Sequence, residues 1–197
     1  MKFIIASKNK NKIKELERIL NPLGIQAVTE DELNIKIPEV EETGTTFSEN
    51  AFLKANSACK TSGLPAIADD SGLCVDALDG APGVYSSRFS GENADAKSNN
   101  ALLIEKLKDV EKEKRTAKFC CSISVVFPNG DEIKCFGECK GCIGFEAKGT
   151  NGFGYDPYFY VGDKSFAELS ADEKDKISHR GNALRELKIK LKEYLDA

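Results

Sequence analysis

Residues 3–20 read FIIASKNKNKIKELERIL, and this stretch indicates the fold class. The apolar run at 3–6 predicts a short buried strand, and the polar segment at 7–11 predicts a turn after it. A helix is predicted next, because apolar residues recur at helical spacing at Ile13, Leu16, Ile19 and Leu20. A strand that leads through a tight turn into a helix is typical of α/β proteins.

The rest of the chain alternates between helical and extended patterns. Thr46 and Ser170 each begin a capping-box pattern with a glutamate three residues later, so each predicts a helix start. An apolar run at 66–68 predicts a strand that ends in a turn at 69–72, and the pattern at 73–75 is compatible with another strand after that turn. The other predicted elements are an ordered loop at 79–91, a helix at 95–109, a hairpin with strands near 117–127 and 132–138, and a strand at 158–161. This order predicts an α/β fold, with a mixed sheet flanked by helices, in a single domain over residues 1–197.

The composition is that of an ordinary globular protein. Hydrophobic residues make up 41% of the chain and charged residues 30%, which argues against disorder. The formal net charge of −4 argues against general DNA or RNA binding, so phosphate recognition must come from local clusters of Lys and Arg. Apolar runs fall short of membrane-spanning length, and the short apolar start is followed at once by lysines, unlike a signal peptide. We therefore expect a cytoplasmic protein without nucleic-acid or membrane partners.

Seven cysteines are scattered along the chain. Cys135, Cys139 and Cys142 are spaced as C-x3-C-x2-C, which permits interpretation as a metal site. Structural zinc sites usually contain paired CxxC motifs, and His179, the only histidine, is distant in sequence. We therefore favour reduced cysteines that pack on strands as small hydrophobic residues.

The turn after the first strand has the character of an anion site. Backbone N–H groups at a helix start point outward, and the helix dipole favours an anion there. Neighbouring lysines add charge that suits a polyphosphate, although the spacing of a P-loop is absent. Taken alone, the segment is interpreted equally well as a solvated, lysine-rich helix start. Its residues are Ser7, Lys8, Asn9, Lys10, Asn11 and Lys12.

Asp69 and Asp70 place two carboxylates at the end of an apolar strand. Such groups are costly there unless they bind a cation, cap a turn or exchange protons. Neighbouring strand residues point to opposite faces, so one aspartate is expected to face a given site. Glu41 and Glu42 could complete a magnesium site of hard oxygen ligands, whereas a solvated acidic loop is the simpler interpretation for them alone.

Three further segments carry groups suited to a nucleotide. Asn50 and Lys54 share a helical face, from which a lysine can reach a phosphate. The loop 151–157, NGFGYDP, combines rings that can stack on a base with a flexible backbone; the alternative is a tight turn whose rings enter the core. His179 and Arg180 lie near a helix start, where a single histidine is more often structural than catalytic. Together with the lysine-rich turn and the carboxylates, these segments supply what a magnesium–nucleotide site requires.

Segments along nearly the whole chain resemble the inosine/xanthosine triphosphate pyrophosphatases, which act on non-standard purine nucleoside triphosphates. Chance agreement over so many separate segments is implausible. Asn11 stands where many relatives carry glycine, and asparagine tolerates the left-handed backbone of such a loop. The matching segments are 7–12, 41–51 (EETGTTFSENA), 54–55, 68–73 (ADDSGL), 79–88 (DGAPGVYSSR), 152–157 (GFGYDP) and 178–181 (SHRG).

The resemblance implies a long mixed β-sheet flanked by helices in two lobes with a central cleft, and a homodimer. It implies hydrolysis of ITP, dITP and XTP to the monophosphate and pyrophosphate, with Mg²⁺ as cofactor. Asp70 is implied as proton acceptor and magnesium ligand, with Glu41 as the second metal contact. The implied contacts to the triphosphate are Ser7, Lys8, Asn9, Lys10, Asn11, Lys12, Lys54 and Ser71; those to the nucleotide and its base are Phe153, Gly154, Tyr155, Asp156, Lys174, His179 and Arg180.

Two other functions stay open at this point. The structurally related Maf-type pyrophosphatases act on dTTP, UTP or modified nucleotides, and the SHRG and GFGYD segments argue against them. A nucleotide-binding regulator without catalysis is disfavoured by the presence of Asp69, Asp70, Glu41 and Lys54.

Overall fold

The computed structural model describes residues 1–196, except for the side chain of Ile19. Short 3-10 helices lie at Asn21–Leu23, Asp76–Leu78, Gly83–Arg88, Lys112–Lys114 and Phe166–Glu168. The main elements, in chain order, are β1 (Lys2–Ile5), α1 (Lys10–Leu20), β2 (Gln26–Val28), α2 (Phe47–Ser62), β3 (Ala66–Val75), α3 (Ala96–Lys106), β4 (Thr116–Val126), β5 (Glu132–Ile143), β6 (Phe159–Val161), β7 (Lys164–Ser165), α4 (Ala171–Ile177) and α5 (His179–Asp196). The predicted α/β class is confirmed.

The strands form a mixed sheet in the order β2-β1-β3-β4-β5-β6-β7. β1 is parallel to β2 and to β3, with Phe3 opposite Ala27 and Ile4 opposite Ala66. β6 is antiparallel to β5 and to β7. The mixed sheet predicted from the order of hairpins and crossovers is therefore confirmed.

The chain divides into two compact units, each built from segments that are separate in sequence. The first unit contains residues 1–70, 121–137 and the chain from Ala183 onward, and the second contains 71–120 and 138–182. The chain passes from one unit to the other within β3, β4 and β5. A single domain over 1–197 stays a prediction, and Ala197 lies outside the described residues.

In the first unit, small side chains bring α2 close to the sheet. Ala55 and Ala58 of α2 are fully buried in a cluster with Ile4 of β1 and with Ala66 and Ala68 of β3. Alanine keeps the helix near the strands, so polar side chains of α2 can reach the end of the apolar part of β3. A larger core includes Phe3, Ile5, Leu16, Leu20, Ile123, Val125, Leu184, Leu187 and Leu191.

The core of the second unit is aromatic. The Phe119 ring of β4 lies 4.6 Å from that of Phe159 in an edge-on arrangement and is stacked 5.9 Å from that of Phe166. Leu73 and Val75 of β3 belong to the same buried cluster. Tyr155 of the glycine-rich loop 151–157 belongs to this cluster too, so the core anchors the loop.

Several boundaries differ from the sequence prediction. The turn predicted at 69–72 is wrong, because β3 runs without interruption from Ala66 to Val75. The strand can continue since its aspartates find buried partners, which the local sequence does not reveal. β5 extends to Ile143, and the helix predicted at 95–109 ends at Lys106. The short strands β2 and β7 were not predicted.

The predicted capping boxes are confirmed at both helix starts. The Thr46 side chain accepts from the Glu49 N–H, and the Glu49 carboxylate accepts in return from the Thr46 N–H. Ser170 and Glu173 form the same reciprocal pair at the start of α4. α1 begins at Lys10, and Leu16 and Leu20 are fully buried as predicted, whereas the prediction for the Ile19 side chain lies outside the described residues.

The cysteines are free thiols in the described part of the chain. Cys135 and Cys139 are buried on β5 and Cys142 is half-buried on the same strand, so the predicted strand positions are confirmed. Within residues 1–196, none of the helices has the length and apolar character needed to span a membrane.

Candidate active site

Asp70 is the centre of a buried polar cluster in the first unit. Its carboxylate, on β3, accepts from Asn50 Nδ2 at 3.2 Å and lies 3.2 Å from Lys54 Nζ. Asn50 is fully buried and Asp70 is 7% exposed. The two partners lie one turn apart on α2, so the shared helical face predicted from their spacing is confirmed.

The acidic loop before α2 contributes one carboxylate to this cluster. Lys54 Nζ contacts Glu42 Oε1 at 2.8 Å, whereas Glu41 is exposed. Gly44 ties the loop to α2, because its N–H donates to Asn50 Oδ1 at 2.8 Å. The structure therefore brings Glu42 to Lys54 and Asp70, and the implied metal contact of Glu41 stays a prediction.

The charges of the cluster depend on one another. Burial raises the pKa of Asp70, Lys54 opposes this rise, Glu42 adds to it, and Lys12 opposes it; the net result is a raised pKa. Burial lowers the pKa of Lys54, but Asp70 and Glu42 more than offset that effect and raise it overall. The cluster thus holds a charged ammonium beside an aspartate that binds protons more strongly than an ordinary one.

Asp69 has different partners from its neighbour. Its side chain is fully buried, and its Oδ2 lies 3.0 Å from Lys12 Nζ. The Cys121 thiol also approaches Oδ2, at 3.9 Å. Adjacent strand residues point to opposite faces, so Lys12 contacts Asp69 while Lys54 contacts Asp70.

The lysine-rich turn is held by its own side chains. Asn9 Oδ1 caps α1 by accepting from the N–H groups of Asn11 at 3.0 Å and Lys12 at 3.3 Å. The Asn9 N–H in turn donates to Ser7 Oγ at 3.2 Å. These amides already have protein acceptors, which the sequence pattern does not predict. In this turn, the side chains of Lys8 and Lys10 are exposed and therefore accessible to an anion.

A second cluster lies in the second unit and is built on the glycine loop, the segment 151–157. Asp156, 2% exposed, accepts at Oδ2 from the Phe153 N–H at 2.8 Å and from Lys174 Nζ at 2.7 Å. A side chain at Gly152 would collide with the same carboxylate oxygen. Lys174 comes from α4, so the pair fastens the loop to that helix.

Two cations approach the ring of Phe153. Lys174 Nζ lies 4.9 Å and Arg180 Cζ lies 5.9 Å from its centroid. Arg180 Nη2 also donates to Ser71 Oγ at 3.1 Å. Phe153 is half-buried, so the structure joins a partly accessible ring, two cations and a serine hydroxyl, all of them predicted contacts.

The other two aromatic groups are packed more deeply. The His179 ring stacks on Phe119 at 4.7 Å between centroids. The Tyr155 hydroxyl donates to the Ser86 carbonyl at 2.8 Å, and burial raises the pKa of Tyr155. The Tyr155 ring therefore enters the core, as in the alternative interpretation of the loop.

The SHRG segment has a local physical explanation. Ser178 ends α4, and its Oγ accepts from the Gly181 N–H at 3.0 Å in the first turn of α5. A side chain at Gly181 would collide with the Asp175 carbonyl. These two residues set the sharp start of α5 that places His179 and Arg180.

A metal held by protein alone is not supported in the described part of the chain. Residues 1–196 contain no group of three or more His, Cys, Asp or Glu side chains that could hold an ion. Asp70 and Glu42 lie within ion-pair distance of the same nitrogen and are therefore close together. This donor set fits magnesium, which usually takes one or two carboxylates and completes its shell with water and substrate phosphate.

Comparison with known proteins decides the family. The profile of the Ham1 family matches residues 3–190. The chain belongs to the Ham1 family. Among relatives of this Ham1 chain, the dITP/XTP pyrophosphatases of Exiguobacterium sibiricum and Haemophilus influenzae are each 48% identical; the first match covers 99% of both chains, and the second covers 96% of this chain and 98% of the relative.

Solved structures agree with this membership. A HAM1 protein from Coxiella burnetii is 43% identical, with a TM-score of 0.89, over 98% of this chain and 99% of that one. The Ham1 protein of Staphylococcus aureus is 40% identical, with a TM-score of 0.87, over 98% of this chain and all of the other. The resemblance stated from the sequence motifs is thereby confirmed.

Asn50 and Asn100 were not assigned a role from the sequence of this Ham1 chain, and Glu42 was an open alternative to Glu41 at the metal. Asn50 was placed on the correct helical face, and its spacing from Lys54 was a usable signal. Glu42 was not separable from its neighbour, because only the folded loop decides which carboxylate turns toward Lys54. Asn100, which donates to the carbonyl of Gly154 at 2.9 Å, gave no signal in the sequence.

Proposed function

We propose that this Ham1 protein hydrolyses non-standard purine nucleoside triphosphates (ITP, dITP and XTP) to the monophosphate and pyrophosphate. The observation that carries the proposal is the buried Asp70 carboxylate held between Asn50 and Lys54. The substrate class is supported by relatives named dITP/XTP pyrophosphatase that are 48% identical over almost the entire chain.

Asp70 acts as the proton acceptor in this proposal. A water molecule attacks the α-phosphorus, the bond from that phosphorus to the bridging oxygen breaks, and pyrophosphate leaves while Asp70 takes the proton of the water. A carboxylate with a raised pKa is a better base than an ordinary aspartate. Asn50 positions the carboxylate by its hydrogen bond from one side, and Lys54 supplies a positive charge beside it.

Asp70 and an acidic residue of the loop before α2 would hold Mg²⁺. The resemblance assigns the second contact to Glu41, and the contact of Glu42 with Lys54 makes Glu42 the competing candidate. The ion, when bound by these residues, would neutralise phosphate oxygens and make the α-phosphorus easier to attack. Lys54 then pairs with substrate phosphate in place of one of its carboxylates.

The remaining contacts divide between the two units. Lys8, Lys10 and Lys12 of the turn, with Ser7, Asn9, Asn11 and Lys54, bind the triphosphate in the first unit. In the second unit, Ser71 contacts the triphosphate, and the glycine loop, with Lys174, His179 and Arg180, binds the nucleotide and its base. Selectivity rests on the purine 6-position, since an N–H aimed at a keto oxygen meets another donor when adenine arrives.

The homodimer, the cytoplasmic location and the absence of nucleic-acid and membrane partners belong to the same proposal. The net charge of −4 supports the absence of a nucleic-acid partner. Light scattering on the purified protein tests the dimer.

Pyrophosphate release from ITP, XTP, GTP, ATP and dTTP, with and without magnesium, tests the proposed activity. We expect fast, magnesium-dependent turnover of ITP and XTP and little from the others. A preference for dTTP would favour a Maf-type activity, and turnover of GTP as fast as ITP would contradict selection of deaminated purines. No pyrophosphate release from any of these nucleotides would favour a regulator without catalysis.

A further inference from the structure

Helix α3 reaches the glycine loop through one side chain, that of Asn100. Its Nδ2 donates to the carbonyl oxygen of Gly154 at 2.9 Å. A carbonyl only accepts hydrogen bonds, so the amide nitrogen and not the oxygen of Asn100 faces the loop. Both residues belong to the second unit.

This contact fixes the direction of one peptide group. The carbonyl of Gly154 and the N–H of Tyr155 share a planar trans peptide, in which the two groups point in opposite directions. Because Asn100 holds the carbonyl, the Tyr155 N–H is directed away from α3. Gly154 has φ +61°, and a glycine in this region can rotate its peptide at little cost once the hydrogen bond is gone.

The other anchors of the loop hold different groups. Asp156 holds the N–H of Phe153, and the Tyr155 side chain is held through its hydroxyl by the carbonyl of Ser86. Asn100 is the side chain that holds the peptide between Gly154 and Tyr155.

The rest of the Asn100 amide argues against a purely stabilising role. Its Oδ1 is buried and has no hydrogen-bond partner within residues 1–196. A buried acceptor without a partner costs free energy that is comparable to or larger than the net gain from one hydrogen bond. An alanine at this position would remove both the favourable donor and the costly acceptor.

We propose that Asn100 is a positioning residue for base selectivity, acting through the peptide between Gly154 and Tyr155. The inference rests on the proposed function, in which the glycine loop contacts the base. An N–H held in one direction selects a keto oxygen, as in hypoxanthine, over the amino group of adenine, because two donors cannot pair. A peptide that is free to rotate can offer either its N–H or its carbonyl, so it discriminates less.

Steady-state kinetics of Asn100→Ala with ITP and with ATP, in the presence of magnesium, test the inference. We expect kcat/KM for ITP to fall about tenfold or more, mainly because KM rises. The ratio of kcat/KM for ITP to kcat/KM for ATP should decrease by a similar factor. The melting temperature should change little, because the unpaired acceptor is removed together with the donor. Lys97→Ala, an exposed change on the same helix, should leave both kinetics and stability unchanged.

Asn100→Asp provides a second variant of nearly the same size. It replaces the donor by an acceptor that faces a carbonyl, so the ratio of ITP to ATP turnover should narrow at least as much as in the alanine variant. A ratio that stays within about twofold of wild type in both variants would overturn the inference while leaving the proposed function intact. A wild-type protein inactive on every nucleotide would overturn the proposed function and, with it, the inference.

Discussion

The immediate surroundings of Asp70 determine the pKa of its carboxyl group. Burial makes its charged form costly, and one lysine and one asparagine on the same face of α2 make that charge tolerable. Its neighbour Asp69 is more deeply buried and pairs with Lys12 instead. Two adjacent aspartates of one strand therefore offer a direct comparison between the proposed base and an ion-pair partner.

Asp70→Asn should lower kcat by about a hundredfold to ten-thousandfold, the usual contribution of a general base, with a much smaller effect on nucleotide affinity. The amide keeps the size of the side chain but cannot take a proton from water. Steady-state kinetics with ITP, together with calorimetric binding of the nucleotide, measure the two effects.

Asp69→Asn is the matched control for this change. It leaves Lys12 without its buried carboxylate, so it should lower the free energy of unfolding while reducing kcat less than Asp70→Asn does. Near-normal turnover in Asp70→Asn would contradict the assignment of the base.

The pKa of Asp70 should respond in opposite directions to its two charged neighbours. Glu42 raises it, so Glu42→Gln should lower the pKa of Asp70; Lys54 lowers it, so Lys54→Met should raise it. The wild-type value should lie above the ordinary 3.8, and the Asp70 carboxylate should become protonated as the pH falls through that raised value. NMR titration of the carboxyl carbon in metal-free protein measures all three values, and shifts of the same sign in both variants would contradict the cluster.

Some of these contacts could be predicted from the sequence and others could not. Helical spacing placed Asn50 and Lys54 on one face, because that geometry is local. The choice between Glu41 and Glu42 depends on how an irregular loop is tied to α2 through Gly44, which no local rule gives. Arg115 is 1% exposed and donates to the carbonyls of Leu107, Ile143 and Gly144, and nothing in the adjacent charged sequence marks it as the buried member.

At the scale of elements, the start of α2 holds the acidic loop in place. A Cβ on Gly44 would lie 2.5 Å from Asn50 Oδ1 and 2.7 Å from Glu49 Cβ, so the loop approaches the helix too closely for any side chain. The opposite end of the same helix offers a comparison. Gly63 has φ +69°, but a Cβ on it would have no neighbouring atom within 4 Å, so a side chain there meets backbone strain without a collision.

Gly44→Ala should lower the free energy of unfolding by about 1–3 kcal/mol and also reduce kcat/KM, because the collision moves the loop that carries Glu42. Gly63→Ala should lower stability by about 1–2 kcal/mol and leave kcat/KM unchanged. Denaturant unfolding and ITP kinetics on both variants separate the two effects. Equal kinetics in the two variants would show that the loop does not contribute to the reaction.

The elements themselves were predicted best where the signal is local. The sequence predicted both capping boxes, the apolar spacing of α1 and the hairpin of β4 and β5. Each of these features depends on residues that are close in sequence. The continuation of β3 through Asp69 and Asp70 was missed, since it depends on Lys12 and Lys54 from other elements. β2 and β7 contain three residues and two residues, too few for a periodic pattern.

In the whole molecule, the cluster around Asp70 and the cluster around the glycine loop belong to different compact units. The first contains Asp70, Lys54 and the lysine-rich turn, and the second contains the glycine loop with Lys174 and Arg180. The mixed sheet was predictable from the order of the elements. Membership of the family was predictable from motifs spread along the chain, whereas the partner of each motif residue had to be read from the folded protein.

Hydrolysis of ITP in water enriched in oxygen-18 tests whether water attacks the α-phosphorus with Asp70 as base. The label should appear in inosine monophosphate, one atom per turnover, and the pyrophosphate should be unlabelled. Asp70→Asn should give the same distribution at a much lower rate. Label in the pyrophosphate, or release of single phosphate, would place the attack on another phosphorus and contradict the proposed reaction.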